Sequence, residues 1–264
     1  MKRFFLTGAA ILAFTFSFAQ DNEATVGQDG LLNQAYVTQA GLLNEAGVQQ
    51  LGDFNYAGVA QDGSYNGAII SQQGDGNWAI INQTGASYNG AGILQSGDGN
   101  DAQIWQSDGS VGNVGSITQI GDDNDARIYQ TDLSGSNLGQ IIQLGSGNYA
   151  EISQGVIAAD NFALILQSGD GNLARITQAG YSFDNLAYIF QTGNNNEAEI
   201  SQSGLSSGNY AYISQTGDGN FAGIYQQFGS GNYASIIQNG TGHVATITQT
   251  GSGNYATVVQ GNAP

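Results

Sequence analysis

The 264-residue sequence has no cysteine, a single proline (Pro264), one histidine (His243), and four Lys and Arg residues against 21 Asp and Glu. Without cysteine no disulfide can staple the chain, so its stability has to come from how the backbone and side chains pack. Half of the scarce positive charge lies at the start. Lys2 and Arg3 precede an apolar run from Phe4 to Phe16 and a small-x-small exit at Ser17-Phe18-Ala19. That order predicts an export signal over residues 1–19, removed after Ala19. The run is shorter than the roughly 20 residues of a membrane-spanning helix, and no comparable run follows, so no membrane span is expected in the mature chain. What remains has no lysine and only Arg127 and Arg175. Such a surface cannot neutralise phosphates, which excludes nucleic acid as a partner. Its acidity keeps stray copies apart and soluble.

Forty-one glycines would suggest low complexity, but 40% apolar content and thirteen tyrosines argue against disorder. The apolar residues are ruled by a repeat, Asn-x-(Ala/Gly)-x-(Ile/Val)-x-Gln, followed by a Gly-containing turn. It recurs at Asn22, Asn33, Asn44 and so on to Asn254, with His243 filling the one gap. The spacing is 11 residues at first, alternates between 11 and 13 through the middle, and returns to 11 at the end. A period of two half-repeats is the mark of a solenoid.

Inside each half-repeat the ruled residues sit two apart, as in Asn148, Ala150, Ile152 and Gln154. That is strand periodicity, with these four facing one way and Tyr149, Glu151 and Ser153 facing out. The same ladder is read at Asn55, Ala57, Val59 and Gln61, at Asn77, Ala79, Ile81 and Gln83, and at Asn172, Ala174, Ile176 and Gln178. A hairpin sheet cannot keep one common inward face along so many units, whereas a parallel β-solenoid of two sheets can. The expected fold is therefore all-β and cross-β. It has about ten two-strand coils, pairing Asn33 with Asn44 through to His243 with Asn254, after a leading half-coil. Coils about 4.8 Å apart would give a rod of roughly 48 Å. The repeat is assigned to residues 33–260, with a lead-in over 20–32 and a tail over 261–264. The returning strand sets Ala163 opposite Ile152 and Ile165 opposite Ala150, small against large. Asn and Gln stack on their own kind, where their amides bond along the axis.

These residues resemble a known family. Gln50-x-Gly52-x-x-Asn55-x-Ala57-x-x-x-Gln61 is similar to the curlin repeat, and the pattern recurs at Gln73 to Gln83 and Gln143 to Gln154. The resemblance implies a major curli subunit, secreted unfolded through an outer-membrane channel with the help of a periplasmic chaperone. It also implies seeding by a surface-held nucleator subunit and growth into extracellular amyloid fibres of the biofilm matrix at the bacterial surface. Major curlins typically begin with a separate non-repeat segment and carry fewer repeats, whereas here only Gln20 and Asp21 are expected between the cleavage point and the first Asn of the repeat.

Three surface features follow from reading columns up the stack. On one sheet Arg127, Glu151, Arg175 and Glu199 alternate in sign, so a ladder of stacked ion pairs is expected. On the other sheet Leu138 and Ile142, then Phe162, Leu164 and Leu166, then Leu186, Tyr188 and Phe190, then Tyr210 and Tyr212 form an apolar outer face suited to lateral packing or adhesion. The first ladder, Asn22, Ala24, Val26 and Gln28, and the last, Asn254, Ala256, Val258 and Gln260, are as regular as the interior ones. Both ends are expected to be open, and an open strand edge templates another chain.

Other motifs carry less. Gly74-Asp75-Gly76-Asn77-Trp78-Ala79 imitates a dinucleotide fingerprint but leads into a strand where that site needs a helix, so no cofactor is expected. Asp122-Asp123-Asn124-Asp125 lacks the glycine and distal glutamate of a calcium loop. No turn is long enough to build a catalytic site, and His243 stands where an Asn is expected, a hydrogen-bonding substitute. The remaining rivals are a minor curlin nucleator and a monomeric adhesin or ice-binding solenoid. Ice binders present regular Thr columns, whereas Ser153, Thr177, Ser201 and Tyr225 are mixed.

Overall fold

A computed structural model describes residues 21–261, so the expected export signal over residues 1–19, Gln20 and residues 262–264 lie outside the described residues. Each half-repeat becomes one strand, because alternate Asn, Ala, Ile and Gln side chains can be buried together only on an extended backbone. Strands alternate between an eleven-stranded and a ten-stranded parallel sheet, and nothing in the described chain is helical. The half-repeat at Asn22 starts the larger sheet, and those at His243 and Asn254 end the smaller and larger sheets respectively. This is the expected two-sheet solenoid, with ten coils after a leading half-coil.

Register is fixed residue by residue. In the ten-stranded sheet Ala150 pairs with Ala126 and Ala174, and Ile152 with Ile128 and Ile176. A slip of one residue would turn every such side chain to solvent. The core is a stack of Ala and Ile, with Gly115 and Gly139 at two of the Ala positions and Val48 and Val59 at two of the Ile positions. From Ala102 and Ile104 to Ala234 and Ile236, almost every member is fully buried. Each buried Ile contributes about 2 to 3 kcal/mol.

The sheets fit because small residues face large ones. Gly139 takes the place of an inward Ala, and a methyl there would come within 3.2 Å of Ile128 Cγ2 and 3.4 Å of Ile152 Cγ2 on the facing sheet. The short arcs stack more tightly still. A Cβ on Gly145, at φ +118°, would fall 2.2 Å from the carbonyl oxygen of Gly169 in the next coil, so only glycine is accommodated there.

The longer arcs, expected as simple turns, contain a third ladder. Ala158–Ala159, Ser182–Phe183 and Ser206–Ser207 form a three-stranded parallel sheet, continued by single bridges through Val111 and Gly135 on one side and Ser230 on the other. The pairing runs on through Ser87 into the 11-residue arcs of the same edge, where Leu42 pairs with Ser64 and Ser64 with Ser87, so the two extra residues lengthen the arc without ending its ladder. Ser110, Ser134, Ala158, Ser182 and Ser206 fill the space inside it.

Stacked ladders and open edges as the candidate assembly site

Two polar ladders run the length of each sheet inside the solenoid. Gln154 Nε2 donates to Gln178 Oε1 at 2.9 Å and receives nothing in return, since its own Oε1 accepts from Gln130 Nε2 at 2.9 Å. The same one-way chain connects Gln39 to Gln249 in the ten-stranded sheet and Gln28 to Gln260 in the other. Each amide also donates across the core, as Gln154 Nε2 does to the carbonyls of Leu138 and Asn161, both at 3.2 Å. The Gln side chain therefore ties its own sheet along the axis and the two sheets to each other.

Asparagine points the other way. The backbone N–H and Nδ2 of Asn172 both donate to Asn148 Oδ1, at 3.0 and 3.1 Å. Asn148 Nδ2 also donates to the Gly169 carbonyl at 2.8 Å, fastening the glycine arc. The backbone donation is a contact that the repeat pattern could not disclose, because Asn was read from its side chain alone. With these bonds in place the amides of the interior coils are satisfied, Asn22 Nδ2 at the first strand being the exception; left unpaired, each would cost about 1 to 3 kcal/mol.

The four charged residues expected as an ion-pair ladder do stack in register, Arg127 beside Glu151, Glu151 beside Arg175, and Arg175 beside Glu199. They do not close on one another. Among the described residues the one ion pair is Arg127 Nη2 to Asp125 Oδ2 at 2.8 Å, two residues along the same strand. Glu151 Oε2 accepts the Tyr149 hydroxyl and Glu199 Oε2 accepts the Tyr225 hydroxyl, both at 2.6 Å. The Arg127 and Arg175 guanidinium carbons lie 5.7 and 5.3 Å from the centre of the Tyr149 ring. The physical reason is that each long side chain found a same-face neighbour of better geometry, and a ring between two guanidinium groups is favourable. Burial, reinforced by the hydrogen bond to Glu151, pushes the Tyr149 phenol up to about 12. The bond to Glu199, with burial, does the same for Tyr225. Burial also raises Asp125, against the pull of Arg127.

The apolar outer face is contiguous, with Leu138, Phe162, Leu186 and Tyr210 in one column, Leu164, Tyr188 and Tyr212 in the next, and Ile142, Leu166 and Phe190 in the third. Its side chains cover one another, so Leu186 is exposed and the other nine are half-buried. Ring centres of Phe162 and Tyr188 are 5.3 Å apart, those of Tyr188 and Tyr210 5.7 Å, and those of Phe190 and Tyr212 5.7 Å. The stack continues through Tyr233 to Tyr255, at 5.0 and 4.8 Å. The opposite sheet is not purely charged: Tyr56 and Trp78 stack at 3.9 Å. Both extensions were legible by following the columns beyond the 24-residue stretch. A further column missed in the sequence runs along the short arcs, where Asp75, Asp98 and Asp122 each accept a backbone N–H from the coil before, at 2.7 to 2.9 Å.

At the two ends the same ladders stop unfinished. Val26, Ala35 and Val37 at one end, and Ala256 and Val258 at the other, are core residues left only partly buried. Ala24 is exposed, and the last ladder residues Asn254 and Gln260 are exposed and half-buried. One end offers Gln28 and Gln39 carbonyl oxygens and the Asn22 and Asn33 donors; the other offers the Gln249 and Gln260 amide hydrogens and Asn254 Oδ1. The ends are complementary in polarity.

Among the described residues, no group of three or more His, Cys, Asp or Glu is placed to hold a metal, and no helix is long and apolar enough to cross a membrane. No curated protein matches the chain. The curlin-associated repeat matches six segments, residues 19–52, 44–74, 157–180, 183–204, 207–240 and 229–261. The unmatched stretch holds the same ladder, from Asn77 to Gln154, across the change from 11- to 13-residue spacing. With most of its length matched and every strand built on the repeat, the chain belongs to the curlin-repeat family.

Proposed function

We propose that this protein is the structural, non-catalytic subunit of a curli-type amyloid fibre, polymerising head to tail outside the cell. The observation that carries the reading is the pair of open, complementary ends. Each presents a strand edge, half-buried core residues and one half of a directional Gln and Asn ladder. A contact between unlike ends does not close on itself and yields a filament. Membership of the curlin-repeat family supports self-assembly as the outcome. By the same family likeness, the chain would be exported through an outer-membrane channel, kept from premature assembly by a periplasmic chaperone and started by a nucleator. The fibre would serve biofilm matrix and cell adhesion.

Within the fibre, the aromatic stack of the eleven-stranded sheet serves as the lateral contact between filaments. Replacing Phe162, Tyr188 and Tyr210 by Ser is expected to leave filaments single, and unchanged bundling would remove that role. Head-to-tail growth itself is tested at the edge. Val258→Lys places a charge on the last core position, and is expected to leave the soluble fold intact by circular dichroism while stopping elongation from seeds. Normal elongation by that variant would contradict the reading.

A further inference from the structure

The count of strands constrains how one copy must sit on the next. The described chain has an odd number of half-repeats, eleven in one sheet and ten in the other. The two sheets are offset by half a coil. Gln61 Nε2 donates both to the Glu45 carbonyl at 2.9 Å and to the Asn66 carbonyl at 3.0 Å, one on the facing strand below and one on the facing strand above. Gln95 of the other sheet bridges Trp78 and Asn100 in the same manner, at 3.0 Å each. Strands therefore climb as a staircase that switches sheet at every step.

The last step, Tyr255–Gly261, is in the eleven-stranded sheet, so the next strand of an uninterrupted staircase belongs on the ten-stranded side. The first strand of a following copy, Glu23–Asp29, lies in that copy's own eleven-stranded sheet. Simple translation would set Glu23–Asp29 on Tyr255–Gly261. It would leave a one-strand gap, about 4.8 Å wide, beyond Val244–Thr250, with a row of unpaired backbone groups and a void in the core.

Resting on the head-to-tail reading above, we infer that successive subunits are related by a half-turn about the fibre axis, so that each continues the other's opposite sheet. Glu23–Asp29 of one copy then pairs with Val244–Thr250 of its neighbour, and Gln34–Leu42 pairs with Tyr255–Gly261. Every ruled position meets its like: Ala24 on Ala245, Val26 on Ile247, Gln28 on Gln249, Ala35 on Ala256, Val37 on Val258 and Gln39 on Gln260. The strands Val244–Thr250 and Tyr255–Gly261 carry no charge, so Glu23 and Asp29 meet no like charge there. Asn22, whose buried Nδ2 has no partner among the described residues, comes to lie on His243. His243 Nε2 lies 3.2 Å from the Asn239 carbonyl, and the neutral tautomer that donates this bond leaves Nδ1 to accept from Asn22.

The arcs agree with a half-turn. It superposes an arc from one edge of the solenoid on an arc from the other, which requires equal lengths. The half-repeat spacing is 11 on both edges over the first five half-repeats and again over the last two intervals, and 13 on one edge only in the interior. The asymmetry is confined to coils that never meet a half-turned neighbour. As a consequence each side of the fibre alternates between the two outer faces, with a period of two subunits.

Cysteine pairs test the geometry, since the native chain has none. Thr25, Thr246 and Thr257 are exposed, and in-register neighbours on adjacent strands lie within the roughly 4.4–6.8 Å that a disulfide spans. Fibres of Thr25→Cys with Thr246→Cys are expected to form covalent ladders on oxidation, visible on a denaturing gel, whereas Thr25→Cys with Thr257→Cys gives monomers. Ladders from the second pair and none from the first would overturn the half-turn. As a check free of cysteine, helical reconstruction of native fibres is expected to show a half-turn superimposed on the solenoid's own twist for each rise of roughly 50 Å, the length of ten and a half coils at the cross-β spacing. A subunit step without the half-turn would overturn the inference while leaving head-to-tail assembly intact. Failure of the unmodified chain to form fibres at all would instead remove the reading on which it rests.

Discussion

The central coils and the end coils are built from the same repeat but differ in what completes them. In the centre, between Asn100 and Asn209, a 13-residue step alternates with an 11-residue one, and a third short ladder of buried Ser and Ala fills the longer arc. Near both ends every step is 11 or 12 residues, and at the outermost strands the core side chains are only partly covered. The centre is finished by its own neighbours, whereas the end residues Val26, Ala35, Val37, Ala256 and Val258 stay partly covered, to be finished by another molecule on the proposed function. Stability and assembly are therefore separable along the chain, and substitutions can test each part.

The largest difference is expected at the glutamine ladder. Gln154→Ala strands the Gln130 amide and the Gln178 oxygen inside a dry core and opens a cavity, so it should cost about 3 to 5 kcal/mol in urea unfolding of the soluble chain. Gln260→Ala, at an edge that water reaches, should cost about 1 kcal/mol in the same measurement. In assembled fibres the second cost should rise toward the first. Equal costs in the soluble chain would break the distinction between closed centre and open end.

Within one arc, Gly145→Ala and Gly147→Ala separate steric closure from backbone preference. Both residues have positive φ, but a Cβ on Gly145 overlaps the Gly169 carbonyl, whereas one on Gly147 meets nothing within 4 Å. Expected losses are about 3 kcal/mol and about 1 kcal/mol respectively, read from thermal or urea midpoints.

Two tyrosines of the ten-stranded sheet give the fold a pH dependence. Tyr149 and Tyr225 have folded values raised to about 12, above the usual phenol range near 10. Their contribution is fully present below pH 10 and is lost as pH rises through about 12. Unfolding followed from pH 9 to 12 should show falling stability, with a shallower fall in Tyr149→Phe. An unchanged slope would contradict the Tyr149 to Glu151 hydrogen bond.

Smaller effects belong to the arcs. Ser182→Ala should cost about 1 kcal/mol, since its hydroxyl accepts from Asn185 Nδ2 at 2.8 Å inside the long arc. Asp75→Asn keeps the oxygen that accepts the Asp53 N–H, as Asn194 does for Asp170, and removes one charge from an acidic column. A gain of a few tenths of a kcal/mol, shrinking as salt is added, is expected.

How much of this was readable in the sequence follows from the geometry of a solenoid. Inward positions such as Ala150, Ile152 and Gln154 recur in every unit because each stacks on its own kind, so repetition alone reveals strands, register and core. The ladder's direction was not readable, because it depends on backbone N–H groups and on which way each amide is turned. The short ladder at Ser182 and Ser206 was hidden because a two-residue excess reads as loop. Outward columns were readable as adjacency but not as partnership. Arg127 and Glu151 are neighbours in register, yet Arg127 chose Asp125 and Glu151 chose Tyr149, since long side chains on a sheet surface can also reach along their own strand.

The central claim is that the open ends drive polymerisation. It is tested most directly by diluting the chain from Gln20 onward out of denaturant and recording fibre diffraction of the product. The account predicts seedable filaments with a meridional reflection at about 4.7 to 4.8 Å. A stable, soluble solenoid monomer that persists at high concentration and ignores seeds would contradict it.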